Sequence, residues 1–116
     1  MTNLMLKPFR CEKYIKDGKV AIIHSNGFNG SGWYTLHGIY DLLFDRTLAE
    51  MINKPYNPDV LLDYCHRKYG LDHDFSGIRN LIITWLSEGE MFYFHVMDGQ
   101  EILITWDQVK EVSIRA

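Results

Sequence analysis

The sequence predicts an α+β fold, a single domain over residues 1–116 built on a mainly antiparallel sheet, with a C-terminal three-stranded meander and one or two covering helices. Three observations carry this expectation. Apolar or alternating runs bounded by turn residues read as strands at Lys19 to His24, Leu81 to Leu86, Met91 to Met97 and Glu101 to Trp106. Between them, two capped stretches show helical spacing. The length, 116 residues, suits one domain that hides roughly two-thirds of its unfolded surface.

Residues 1–10 are apolar but unpatterned, and Pro8 argues against a regular helix there, so this segment is expected to be an arm packing on the domain or on a partner subunit. Cys11 to Lys16 reads as a short strand, and Asp17-Gly18 is a turn dipeptide that makes a hairpin with the next one. Lys19 to His24 carries a β-branched apolar run expected to be buried on both faces. Ile39 to Phe44 has a mixed pattern. Asp45 then serves as N-cap for a helix over Arg46 to Asn53, with Leu48, Met51 and Ile52 at helical spacing and Pro55 closing it. Asn57 caps the next helix, Pro58 to Tyr69, with Pro58 at its first position, Asp59 in its first turn and Gly70 as its stop.

After a polar loop, Leu71 to Ser76, the last third reads as the meander, with turns at Ser87-Glu88-Gly89-Glu90 and at Asp98-Gly99. Phe92, Phe94 and Val96 alternate with Tyr93 and His95, and Ile102 and Ile104 oppose Leu103 and Thr105. Asp107 to Ala116 is compatible with a short helical turn or an edge strand.

Composition narrows the function classes. With 47% hydrophobic and 23% charged residues this is an ordinary globular chain, and no run approaches the ~20 apolar residues of a membrane span. Its first residues lack the apolar core and cleavage site of a signal peptide, so the expectation is a soluble, cytoplasmic protein without membrane partners. Cys11 and Cys65 show no Cys-x-x-Cys spacing, which removes support for a metal knuckle or redox dithiol. The net charge is −3. Residues 1–20 hold five cations against two carboxylates, so the remainder is acidic and lacks the broad basic face that duplex nucleic acid requires. A small anionic ligand, neutralised by backbone N–H groups and one or two arginines, fits this balance better.

The best candidate site is the turn after the buried strand: Ser25, Asn26, Gly27, Phe28, Asn29, Gly30, Ser31, Gly32, Trp33 and Tyr34, followed by Thr35. Three glycines allow a close approach of backbone to ligand, Ser and Asn offer donors and acceptors, and Phe28, Trp33 and Tyr34 offer faces on which a base can stack. No Gly-Lys-Ser/Thr follows, so it is not a P-loop, and the Gly-x-x-Gly-x-Gly spacing without a βαβ unit is not a dinucleotide fingerprint. The structural alternative is a surface connection whose glycines permit tight bends, with Trp33 in the core. Arg79, just before the first meander strand, has the fork geometry for phosphate or carboxylate, or for an ion pair with Asp72 or Asp74. Asp72-His73-Asp74, with His66 and Cys65 on the preceding helix, and the isolated His24 and His95 lack metal-ligand or catalytic spacing. No catalytic residue, metal ligand or cofactor is assigned.

Val20-Ala21-Ile22-Ile23-His24-Ser25-Asn26-Gly27-Phe28, continuing to Gly32-Trp33-Tyr34-Thr35, resembles a family of small phage-encoded accessory proteins with a strand, a Ser-Pro-Gly-Phe-Gly-like turn and a Gly-Trp. Leu42-Leu43-Phe44-Asp45, Glu88-Gly89 and Asp98-Gly99-x-Glu101 fit the same pattern, so the resemblance spans about Lys19 to Ile104. Asn26 replaces its Pro, Asn29 replaces a Gly, and the turn is one residue longer, all within the candidate site. The resemblance implies a protein of the infected host cell that counters defence. It would bind a nucleotide immune signal and leave it intact, as a homo-oligomer. On that reading the turn's N–H groups hold phosphate, Phe28 or Trp33 stacks on the base, and Asn26, Asn29 or Ser31 reads its edge. The apolar Leu4, Met5, Leu6 and Phe9 supply surface for self-association. The competing classes are an enzyme that degrades such a nucleotide and an interaction module that inhibits a host protein.

Overall fold

A computed structural model describes residues 12–27, 32–71 and 74–106. The possible N-terminal arm, the tip of the glycine-rich turn at 28–31, Asp72 and His73, and the last ten positions lie outside the described residues.

Strand β1 (Ile15–Lys16) and strand β2 (Lys19–Ser25) form the expected hairpin. Its turn residues Asp17 and Gly18 both have positive φ, 52° and 75°, the conformation a two-residue hairpin turn demands. A short helix α1 (Tyr34–His37) and a 3-10 turn (Tyr40–Leu43) follow, so Ile39 to Phe44, where the sequence pattern is mixed, is a tight helical corner. Helices α2 (Arg46–Asn53) and α3 (Pro58–Tyr69) match the expected bounds. The Asp45 carboxylate accepts the Leu48 N–H at 3.1 Å, and Asn57 Oδ1 accepts the Asp59 N–H at 3.1 Å. Each such cap is worth about 1 kcal/mol. After a second 3-10 turn (Ile78–Asn80) come β3 (Leu81–Ser87), β4 (Phe92–Met97) and β5 (Gln100–Thr105).

The architecture is α+β with antiparallel strands throughout, but the three C-terminal strands are not one meander. β3 pairs with β2 over its whole length, Lys19 opposite Ser87 through Ser25 opposite Leu81, giving a sheet of order β1-β2-β3. β4 and β5 form a separate two-stranded hairpin, Phe92 opposite Thr105 through Met97 opposite Gln100. The reason lies in β2, which is apolar on both faces and needs cover on both. Ala21 and Ile23 face Leu48, Ala49, Leu61 and Cys65 of the two helices. Val20 and Ile22 face the other way, with Leu86, against Phe92, Phe94 and Leu103 of the hairpin. A flat meander would leave that second face exposed to water. Alternation within β4 and β5 is the same in either arrangement, so periodicity alone does not separate them. No helix among the described residues is long and apolar enough to cross a membrane.

Candidate functional site

The glycine-rich turn is closed by a residue far away in sequence. Glu101, at the start of β5, is 1% exposed. One carboxylate oxygen accepts the Ser25 N–H at 2.9 Å, where β2 ends. The other accepts the Trp33 N–H at 3.0 Å, the Thr35 N–H at 2.7 Å and the Thr35 hydroxyl at 2.6 Å, where the turn enters α1. A buried carboxylate is tolerated only with its lone pairs satisfied, and four donors accomplish this. Both ends of the turn are thereby tied to one side chain of the hairpin layer.

The backbone of Glu101 continues the network. Its carbonyl oxygen lies 2.8 Å from His24 Nδ1, and His24 Nε2 lies 2.7 Å from the Thr84 hydroxyl. A carbonyl only accepts, so Nδ1 carries the proton, and bare Nε2 accepts from Thr84. Burial pushes the His24 pKa below its ordinary value and outweighs the opposing pull of the Glu101 carbonyl and carboxylate. The imidazole is therefore a neutral crosslink between the sheet and the hairpin.

The structure places the expected site residues in different environments. Ser25 is fully buried, and its hydroxyl accepts the Gly27 N–H at 3.2 Å. Asn26 is exposed; its N–H donates to the Asn80 carbonyl at 2.8 Å and its Oδ1 accepts from Gln100 Nε2 at 2.8 Å. At Gly27 a Cβ would lie 2.6 Å from Asn80 Nδ2, so a larger residue there would have to displace the Asn80 side chain. Phe28, Asn29, Gly30 and Ser31 lie outside the described residues. Gly32 is buried under Thr35 and Leu36.

Trp33 corrects the stacking expectation. It is 0% exposed, its indole N–H donates to the Leu42 carbonyl at 3.0 Å, and its ring packs against His37 and Phe75. No face of it is open to a ligand. The phosphate cradle is corrected in the same way at Ser25, Asn26, Gly27, Trp33 and Thr35, because each of these N–H groups already donates to an acceptor of the protein. Arg79 is 72% exposed at its side chain and lies 4.0 Å from Asp59 of α3.

Of the two expected aromatic residues that are described, Trp33 and Tyr34, it is Tyr34 that borders open space. A cavity of about 550 Å³ lies between the start of α1 and β4. Tyr34, Tyr40 and Leu43 form one wall, Met91, Phe92, Tyr93 and Phe94 the other, with Thr35 and Glu90 as polar lining. Tyr34 and Tyr40 stand edge to face, 6.5 Å apart, and Tyr34 lies 6.4 Å from Phe94. A smaller cavity of about 170 Å³ shares Tyr40, Glu90 and Phe92 and extends to Lys13, whose ammonium is 4.4 Å from the centre of the Phe44 ring. The sequence reading misses Tyr40, Phe92, Tyr93 and Phe94 as site residues, although the alternating aromatics of β4 are visible in it. It also misses Glu101, whose signal is its parity with Leu103. A charge at an inward strand position is a polar anchor.

Of the remaining candidates, Asp74 and Cys65 are engaged in local structure, while Asp72 and His73 lie outside the described residues. Asp74 accepts the Ser76 N–H and hydroxyl at 3.1 Å each, which holds its carboxyl below the usual range. Cys65 is buried in the helix layer, and burial pushes its thiol up to about 12, far from a reactive thiolate. A second buried carboxylate, Asp45, accepts from Tyr64, Lys68 and Tyr69 besides capping α2. Among the described residues no group of three or more His, Cys, Asp or Glu side chains is placed to hold a metal ion. Comparison of the chain with protein-family models, curated proteins and solved structures finds no match.

Proposed function

We propose that the protein is a binding module that takes the planar ring of a nucleotide-like ligand into the aromatic cavity beside Tyr34 and holds it unchanged. The observation that carries this reading is the cavity itself, about 550 Å³ and walled by Tyr34, Tyr40, Phe92, Tyr93 and Phe94. Small-molecule sites span about 300–1,000 Å³ and are mostly apolar with a few polar groups, which describes this one. Stacking on such rings is worth ~1–3 kcal/mol per base. Lys13, which lines the adjoining smaller cavity together with Glu90, is the cation this reading assigns to an attached phosphate. The ligand site is thus moved from the turn's backbone to the cavity that the turn's end borders. Sequestration of an immune nucleotide in an infected host cell is the biological setting, and its support is the sequence resemblance alone.

The test is thermal unfolding in the presence of linear and cyclic nucleotides and ADP-ribose derivatives, followed by heat release and chromatography of each hit. A raised Tm with the ligand recovered intact supports sequestration. Recovery of a fragment makes the protein a nucleotide-degrading enzyme. A Tm that no compound moves sinks the nucleotide reading. It would favour an interaction module, for which the exposed Met91, Tyr93, Met97 and Trp106 of the hairpin offer apolar surface.

A further inference from the structure

The two edges of the three-stranded sheet differ in kind. The β1 edge is two residues long and flanked by Lys13, Lys16 and Lys19, the short, lysine-rich form that discourages pairing. The β3 edge is seven residues, Leu81-Ile82-Ile83-Thr84-Trp85-Leu86-Ser87, with no charge, proline or glycine, and no other strand among the described residues pairs with it. Ile82 on this strand is 37% exposed although its neighbours are apolar. Such an edge is a template for another strand.

We propose that this edge pairs with the same edge of a second copy, antiparallel about a twofold axis through Thr84 and perpendicular to the sheet. Three features select a second copy as the occupant. First, this register centres on the open stretch of the edge, Ile82 to Leu86, with Ile82 opposite the second copy's Leu86; at the two ends the Leu81 N–H donates to the Tyr56 hydroxyl at 2.7 Å and the Ser87 N–H to Glu90 Oε1 at 3.3 Å. A perpendicular axis keeps each face on its own side, so helix layer adjoins helix layer and hairpin adjoins hairpin. Second, Ile83 falls opposite the second copy's Trp85, a β-branched and aromatic pair of the kind that stabilises antiparallel ladders, and no like charges face each other within the strand. Third, the charges just beyond the strand are complementary. Arg79, in the 3-10 turn before β3 and 4.0 Å from Asp59, and Glu88, in the turn after it, are both exposed, so the antiparallel register sets the arginine end of each strand against the glutamate end of the other. The result is a continuous six-stranded sheet, and Arg79 gains a role that neither the turn nor the cavity gives it.

The test is sedimentation of the full chain from low to high micromolar concentration, with hydrogen exchange of the β3 amides. The expected species has twice the 13.6 kDa chain mass. Arg79→Glu and Glu88→Arg, both on exposed side chains, should each weaken dimerisation by roughly tenfold, by turning two attractions into repulsions. An equimolar mixture of the two variants should restore it as a heterodimer, because opposite charges again meet at each end. The β3 amides should lose protection on dilution. A monomer at every concentration overturns the proposal. So does a dimer indifferent to both charge reversals, which would use another surface. Concentration-independent protection of β3 would overturn it too, since residues 1–11 or 107–116 of the same chain would then occupy the edge.

Discussion

The Glu101 carboxylate accepts the backbone N–H of Trp33 at 3.0 Å across 68 residues of sequence. With its bonds to Ser25 and Thr35, it fixes where the glycine-rich turn begins and where it ends. The hairpin layer is therefore attached to the sheet by polar bonds as well as by Phe92, Phe94 and Leu103. Glu101→Gln keeps one accepting oxygen and turns an NH2 group toward other donors. The expected loss is about 2–3 kcal/mol in urea unfolding, the worth of hydrogen bonds to a buried charge. Glu101→Ala, which strands three N–H groups and a hydroxyl, should cost more. Equal stability of wild type and Glu101→Gln would show that the carboxylate does not hold the turn.

Trp33 and Tyr34 are neighbours with opposite duties. Trp33→Ala should destabilise the fold by about 3–5 kcal/mol, as for other large core aromatics. Trp33→Phe retains much of the packing but leaves the Leu42 carbonyl without its donor, an expected loss of roughly 1–3 kcal/mol. Denaturant midpoints decide both. A Trp33→Ala protein as stable as wild type would return the indole to consideration as a ligand platform.

How far the fold and site were legible follows from cases such as these. The helices over Arg46 to Asn53 and Pro58 to Tyr69 could be read to the residue, because Asp45, Asn57, Pro58 and Gly70 act through local backbone bonds. The Asp17-Gly18 and Asp98-Gly99 turns were equally local. What could not be read was which surface each strand meets. The choice between a meander and a hairpin laid over Val20 and Ile22 depends on long-range packing that a period of two does not encode. The site suffered from the same limit. Aromatic density around the turn was visible, but whether Trp33 faces inward or Tyr34 borders a cavity depends on Glu101, Leu42 and Phe94, all remote in sequence from the turn or joined to it only by the fold.

His24 gives stability a pH dependence with a defined sign. Its folded pKa lies below the unfolded value because burial disfavours the imidazolium. Below the ordinary histidine pKa, near 6.5, the unfolded chain takes up a proton that native His24 resists, so stability falls with falling pH from about 7 toward 5. His24→Gln should flatten that part of the Tm profile. An unchanged slope would assign it to other groups.

Asp45 governs a more acidic limb. Burial opposes its charge, but hydrogen bonds from Lys68, Tyr69, Tyr64 and the Leu48 N–H outweigh it and hold its carboxyl below the usual range. Its contribution is present above the unfolded carboxylate pKa, near 4, and is lost as pH falls through the lower folded value. Asp45→Asn removes both this limb and the ion pair with Lys68, 2.9 Å away. An expected cost of about 3 kcal/mol near neutrality should shrink in acid, where the wild-type carboxyl is also protonated. A cost that is the same at every pH would reduce Asp45 to a cap.

Tyr34→Ala separates the cavity from the core. The ring is half-buried and packs on the Val20, Ile22 and Leu43 cluster without a hydrogen bond like that of Trp33, so its removal should lower Tm, but by less than Trp33→Ala does. If a nucleotide-like ring stacks there, affinity should fall by about 1–3 kcal/mol, roughly 5- to 150-fold in Kd by isothermal titration. Lys13→Ala should weaken binding of phosphorylated ligands more than of the corresponding nucleosides, since the ammonium adjoins the smaller cavity and not the aromatic one. The two substitutions therefore probe different halves of one ligand. A Tyr34→Ala protein that binds a nucleotide hit as tightly as wild type would place the ligand elsewhere, and an equal effect of Lys13→Ala on nucleoside and nucleotide would remove the phosphate from its neighbourhood.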